Sequence, residues 1–179
     1  SFSVHVNVEG LQPDRWYFYR FRTGDAVSQV GRFRTAPSDG AMSPLRFAFA
    51  SCQNWEQGLF TAFDHLSREP LDLVAHLGEV DNNYAGLNGE NNMESVEQMR
   101  ARRAAAYQAW WEHQPVRVPR VESWTDLTIT RSINWGALAR FWVLDTRQYR
   151  DDQACGDGTQ LVCDETRDPR RGLLGAPQE

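Results

Sequence analysis

The sequence contains no lysine: all 19 basic residues are arginine, against 24 acidic residues and a net charge of −5. With a pI near 5.4, a broad basic surface of the kind that attracts nucleic acid is not indicated. Long apolar runs are missing as well. None approaches the roughly 18 residues that a membrane span needs, and the opening Ser-Phe-Ser-Val-His lacks the basic-then-apolar order of an export signal. There is no Walker loop, no Gly-x-Ser-x-Gly elbow, no dinucleotide fingerprint and no internal repeat. Cysteine is scarce, at 3 residues. Cys155 and Cys163 bracket a loop rich in turn formers and could pair, or could be two unrelated thiols, whereas Cys52 follows an apolar run and stands apart. What is present is an ordinary globular chain of 179 residues, 41% apolar, 12% aromatic and 24% charged. That composition argues against disorder, coiled coil or collagen, and the length allows one domain, or one plus a fragment of another.

The rhythm of the chain changes near residue 40. Val4, Val6 and Val8 alternate with polar residues, a Leu-Gln-Pro-Asp turn leads into an aromatic strand from Trp16 to Arg22, and another strand follows around Val30 to Arg34. Residues 1–36 therefore read as the closing strands of an immunoglobulin-like or fibronectin-like β domain, too few to bury both faces of a sandwich. Residues 37–44, rich in Pro, Gly and Ser, read as a linker. Beyond it, from residue 45 to 179, Leu45–Ala50 predicts a strand covered on both faces. Residues 58–68 predict a helix and Leu71–Leu77 a second buried strand, together a β-α-β crossover of an α/β layer. Ser95 and Gln98 predict the cap of a helix reaching about Glu112, with Val96, Met99, Tyr107 and Trp110 along its apolar stripe. Two further strands are expected over Leu127–Ile133 and Ala139–Leu144.

Candidate chemistry collects where the strands end, since loops there gather polar groups on a rigid edge. Cys52, in Ser51-Cys52-Gln53, could ligate iron or zinc or act as a nucleophile, or be a small buried thiol. Glu79, Asp81, Asn82 and Asn83 make an oxygen-rich stretch that suits a hard cation such as calcium, or a turn whose side chains bond their own backbone. His76 reads as a packing residue, and His5, His65 and His113 lack zinc spacing. Asp145 and Arg147 read as an ion pair that orders a loop. Arg100, Arg102 and Arg103 read as a solvated helix face, with a phosphate grip as the alternative.

Five ordered blocks carry a more specific signal: Phe47–Gly58, Leu71–Gly78, Glu79–Gly86, Arg102–Ala109 and Leu144–Arg150. They resemble consecutive blocks of the PhoD-type alkaline phosphatases and phosphodiesterases of the metallophosphatase superfamily, and the N-terminal strands resemble the immunoglobulin-like domain that precedes the catalytic domain there. The resemblance implies an α/β (α+β) metallophosphatase-like sandwich of sheets flanked by helices. It implies iron and calcium as cofactors, phosphate mono- or diesters as substrates, a monomer, and a secreted, periplasmic or cell-wall location. Cys52 matches the family's iron-binding cysteine and Asn82 a calcium position, with Asn83, Asp81 and Glu79 on the rim of the site. The extracellular setting, with the Gly-Asp-Gly turn, implies a Cys155–Cys163 disulfide.

The sequence departs from that pattern in one place above all. Gly78 runs directly into Glu79, whereas the family places between these blocks a metal-bridging aspartate, a tyrosine ligand and a Trp-Asp-Asp-His block. Later Asp and His ligands of the family also have no match. The chain is accordingly expected to be an internally deleted and C-terminally shortened piece with incomplete catalytic machinery, no assigned catalytic residue and little or no turnover. A non-catalytic extracellular binding or relic module is the alternative.

Overall fold

The computed structural model describes residues 3–54, 56, 58–89, 94–119, 121–157, 162–176 and 178. Trp55 and Gln57 of the first block, residues 90–93, Arg120, and residues 158–161 between the two C-terminal cysteines lie outside them. The chain divides into two compact units, the first comprising Ser1–Val6, Glu79–Arg131 and Trp142–Glu179, the second Asn7–Gly78 and Ser132–Phe141.

The second unit is built from small ladders. β1 (Trp16–Tyr19) pairs antiparallel with β4 (Gly31–Arg34), and β2 (Arg22–Thr23) with β3 (Ala26–Val27). The alternating valines at 4, 6 and 8 form no strand and stay exposed. Alternation supplies a strand's face but not a partner, and no neighbouring ladder takes this segment. β5 (Phe47–Ala50) and β6 (Leu73–His76) pair in parallel, Phe47 beside Leu73 and Ala50 beside His76. The crossover between them contains α1 (Thr61–Arg68), three residues shorter at its start than the sequence suggests. Phe60 there adopts φ +55°, outside the helical range, and offers no side-chain cap. Phe63 on α1 meets His76 with tilted rings, centroids 5.7 Å apart, but His76 is exposed, as are Phe47, Phe49 and Val74, so β5 and β6 are not the buried strands the sequence predicts: two strands are too few to cover their own faces. The segment after the ladders is pinned by Arg34, which pairs with Asp14 and with Asp72 (2.6 Å) and lies over Trp135, 5.3 Å from the ring centroid. Trp135 donates its Nε1–H to the Ser43 carbonyl, 3.2 Å, and both residues are buried. Gly136 must be glycine: at φ +51° an added Cβ would collide with the Ala41 carbonyl oxygen.

The first unit is organised by α2 (Val96–His113). Ser95 and Gln98 form the full capping box expected from the sequence. The helix stops at Gln114, extended before Pro115, because a residue preceding proline is pushed out of the helical region. Its buried stripe is Met99, Tyr107 and Trp111. Val96 is exposed, and Trp110 lies half-buried beneath Arg131, 5.9 Å from its ring centroid. Repeated i to i+4 steps select 99, 103, 107 and 111 rather than 110. Leu127, expected in a strand, instead follows a short 3-10 turn (Trp124–Asp126) and is fully buried. Past Arg131 the chain returns to the second unit, where β7 (Arg131–Trp135) begins four residues later than expected and pairs with β8 (Ala139–Val143).

Candidate functional site

The sequence-predicted site residues fall on two loops, one in each unit. Cys52 lies just past β5 in the second unit, an exposed free thiol at φ +57°. It is therefore not the small buried thiol that was its alternative. Next to it, Asn54 turns the chain locally, its Oδ1 accepting from the Glu56 N–H at 2.8 Å.

The loop from Glu79 to Gly86 belongs to the first unit, and its oxygen atoms are held by arginine. Asn83 sits at φ +50°, a left-handed conformation that asparagine tolerates better than most residues. Its backbone N–H donates to Glu79 Oε2 at 3.0 Å, closing the turn. Arg147 pairs with that same Glu79 oxygen at 2.6 Å and donates to Asn83 Oδ1 and the Tyr84 carbonyl, each at 3.2 Å. Arg150 donates to both the Oδ1 and the carbonyl oxygen of Asn83, at 2.9 Å. Asn83 Nδ2 in turn donates to Gln153 Oε1, 2.9 Å. Across the loop, Arg102 of α2 bridges Asp81, at 3.0 Å, and Glu94. Asn82 is exposed.

Beneath the loop, Tyr84 and Ala85 are buried, and the Tyr84 and Tyr107 hydroxyls meet at 3.0 Å. Burial raises both phenols above the ordinary tyrosine range, so the pair is neutral at neutral pH. Arg103, on the same stripe of α2, donates to the carbonyls of Gly86 (2.9 Å) and Thr125 (3.2 Å). The turn at 145–150 is assembled around buried Asp145. Its Oδ1 accepts from the backbone N–H of Arg147 (2.9 Å) and Gln148 (2.8 Å), and its Oδ2 from Gln148 Nε2 (2.5 Å). Asp145 is thus a backbone cap, and the ion pair of Arg147 goes to Glu79 instead. Of the helix arginines, Arg100 and Arg102 are exposed as a solvated face would be, although Arg102 is paired, whereas Arg103 is half-buried and bound to backbone carbonyls. The role of Arg103 was open to sequence reasoning through position alone, since 103 repeats the spacing of 99 and 107. The bonds of Arg147 and Arg150 to Asn83 span more than sixty residues of sequence, and no local pattern announces them.

This donor set does not fit an iron and calcium centre. Among the described residues no group of three or more His, Cys, Asp or Glu side chains could hold a metal ion. Three guanidinium groups occupy the oxygens of Glu79, Asp81 and Asn83, where a cation would need them. Cys52 lies in the other unit. Further along the chain, Cys155 and Cys163 are joined in a disulfide, and Glu165 accepts from the Cys155 N–H at 2.9 Å. No helix among the described residues is long and apolar enough to cross a membrane.

The model of the PhoD-like phosphatase family matches residues 47–78 and 79–179, and the model of its N-terminal domain matches residues 1–37. Alkaline phosphatase D of Bacillus subtilis (strain 168) is 39% identical over 239 positions, covering 99% of this chain and 41% of the relative. A solved structure described as that of PhoD superposes with a TM-score of 0.89 at 36% identity, covering 98% of this chain and 45% of the other. The chain therefore spans less than half the length of each protein it matches. An alignment of 239 positions against 179 residues leaves at least 60 positions of the relative with no counterpart here. Immunoglobulin-like character for the first strands does not follow from these matches, and a non-catalytic binding module gains no support from them. With the phosphatase model matching residues 47–179 and the N-terminal model residues 1–37, the chain belongs to the PhoD-like phosphatase family.

Proposed function

We propose that this chain carries part of the scaffold of a secreted phosphoesterase, built for hydrolysis of phosphate mono- or diesters, and that it gives little or no turnover by itself. Its family membership supports the reaction class. The single observation that carries the second half is the arginine-filled loop: Arg102, Arg147 and Arg150 hold the oxygens of Asp81, Glu79 and Asn83. In the full family centre Cys52 is the proposed thiolate donor to iron and Asn82 the proposed oxygen donor near calcium, with Asn83, Asp81 and Glu79 on the rim. The residues of this chain shape and anchor that rim. Asp145 fixes the turn that presents Arg147, and Arg147 with Arg150 fixes Asn83. Catalysis of phosphoryl transfer needs positive charge fixed in place at the phosphate oxygens before the reaction begins, and a thiolate with one amide fixes none.

The test is an assay of the purified chain on p-nitrophenyl phosphate and on its bis ester at alkaline pH, with iron and calcium supplied and Cys52→Ala as control. No metal-dependent turnover above the control is expected. Turnover that depends on metal and disappears in Cys52→Ala would overturn the proposal. The same reading includes an immunoglobulin-like origin for residues 1–36 and a location outside the cytoplasm, which the Cys155–Cys163 bridge supports. Alkylation of unreduced protein from the exporting cell should leave both thiols unlabelled, and free thiols at both positions would remove that support.

A further inference from the structure

The sequence has one Asn-Gly dipeptide, Asn88-Gly89, and it stands just past the loop from Glu79 to Gly86. Ala85 and Asn88 close a tight turn over Gly86 and Leu87: the Ala85 N–H donates to the Asn88 carbonyl at 2.9 Å and the Asn88 N–H to the Ala85 carbonyl at 2.8 Å. The backbone of Asn88 is thereby held, but its side chain is not. It is exposed, and among the described residues neither its carboxamide nor the Gly89 N–H has a hydrogen-bond partner. The asparagines of the site differ on both counts. Asn54 Oδ1 is taken by the Glu56 N–H, and Asn83 is held by Arg147, Arg150 and Gln153. Each of these is followed by a large residue, Trp55 or Tyr84, whereas the nitrogen after Asn88 belongs to a residue with no Cβ to obstruct an approach. Asparagine is a chemically labile residue, and an unbonded carboxamide beside such a nitrogen is placed to react with its own main chain.

We propose that Asn88-Gly89 is a self-modification site at which asparagine converts to isoaspartate or aspartate, and that the conversion opens the turn at Ala85. The Gly89 nitrogen attacks Asn88 Cγ. The N–Cγ bond forms, the Cγ–Nδ2 bond breaks, and ammonia leaves with the Gly89 proton. Water then opens the cyclic imide, at Cγ to give aspartate or at the Asn88 carbonyl carbon to give isoaspartate. In isoaspartate the main chain runs through the former side chain, and the carbonyl that accepts from the buried Ala85 N–H becomes a free carboxylate. The turn is then no longer closed by two main-chain bonds. Either product also adds negative charge where carboxylates already crowd. A Cβ at Gly89 would lie 3.0 Å from Asp81 Oδ2 and 3.9 Å from Glu94 Oε2. The other oxygens of those two groups share Arg102, and Glu94 Oε2 is buried without a hydrogen bond. A third carboxylate beside them competes for the same guanidinium and is repelled by its neighbours.

The experiment incubates the full chain at neutral and at mildly alkaline pH. Peptide mapping follows the gain of one mass unit at Asn88, and isoaspartyl methyltransferase labels the longer-chain product. Because the Gly89 nitrogen reacts after losing its proton, the rate is expected to rise in proportion to hydroxide. Since no bond of the fold holds the reacting groups, the folded chain should convert within about tenfold of the rate in the same chain unfolded in guanidinium chloride, a barrier difference under about 1.4 kcal/mol. A folded chain slower than that overturns the proposal. Asn54 and Asn83 should convert at least about tenfold more slowly than Asn88 when folded, and equal rates would overturn it too. Hydrogen exchange then reads the turn, with the amides of α2 reporting that the protein remains folded. Exchange at Ala85 is expected to quicken by at least about tenfold in the converted chain, an opening made easier by about 1.4 kcal/mol. Asn88→Gln aged in parallel should show neither the mass change nor the faster exchange. Conversion that leaves Ala85 exchange unaltered, or faster exchange in aged Asn88→Gln, overturns the link between the modification and the turn.

Discussion

In the first unit Met99 and Leu127 are fully buried and Tyr84, Ala85, Tyr107 and Trp111 nearly so, whereas in the second Phe18, Phe49, Leu59 and Leu77 stand more than half in solvent. Composition does not explain the contrast, because both regions are rich in aromatic and aliphatic residues. α2 presents its stripe to the Trp124–Asp126 turn and to the loop carrying Tyr84, and buried Asp145 and Gln148, with half-buried Arg103, meet the polar groups that burial would otherwise strand. The second unit has paired strands, but its ladders are two strands wide, too narrow to bury a face unaided. Among its described residues the buried corner is the Trp135, Arg34 and Ser43 contact. An apolar pattern chooses the element, and burial then depends on a second element being there to receive it.

The comparison breaks or holds most visibly on truncation of one large side chain in each unit. Met99→Ala should cost about 3 kcal/mol, the middle of the range for emptying a buried site. Phe49→Ala, at an exposed position, should cost well under about 1 kcal/mol. Denaturant unfolding of the two variants checks this, and equal costs would mean that the second unit has a core after all.

How far the sequence discloses the molecule follows the same division. The capping box of Ser95 and Gln98, the β5-α1-β6 crossover and the stop before Pro115 are legible because each rests on neighbours in sequence. Val4, Val6 and Val8 mislead because alternation is satisfied by any partner and none is present. Leu127 misleads in the other direction: a short 3-10 turn delivers it to the core without a strand. At the site, the loop from Glu79 to Asn83 is legible as oxygen-rich, but what fills it is not. Its occupants, Arg102, Arg147 and Arg150, arrive from a helix and a turn distant in sequence.

Reduction of the Cys155–Cys163 bridge tests whether the first unit depends on its core or on its staple. The bridge closes a short loop, with a sequence separation of 8, and chain-entropy arguments give about 2.5 kcal/mol. Unfolding with and without reductant should differ by no more than this, and loss of α2 exchange protection on reduction would show that the staple outweighs the packing. A smaller effect is expected at high pH. Burial holds the Tyr107 phenol protonated while the unfolded chain ionises near pH 10, so stability is present below that pH and declines above it. At pH 11 the loss should be about 1.4 kcal/mol for this residue, and Tyr107→Phe should flatten the decline. A decline unaltered by Tyr107→Phe would place its origin elsewhere.

The smallest effect belongs to the surface of the second unit. Arg68 and Asp64 form an i, i+4 pair on α1 at 2.6 Å, with both side chains mostly in water. Such a pair sits in high dielectric, loses side-chain freedom when it forms, and is screened by salt. The order of charges along the helix is favourable, acid before base. Arg68→Ala should therefore cost about 0.3 kcal/mol at low salt and nothing measurable at 1 M salt.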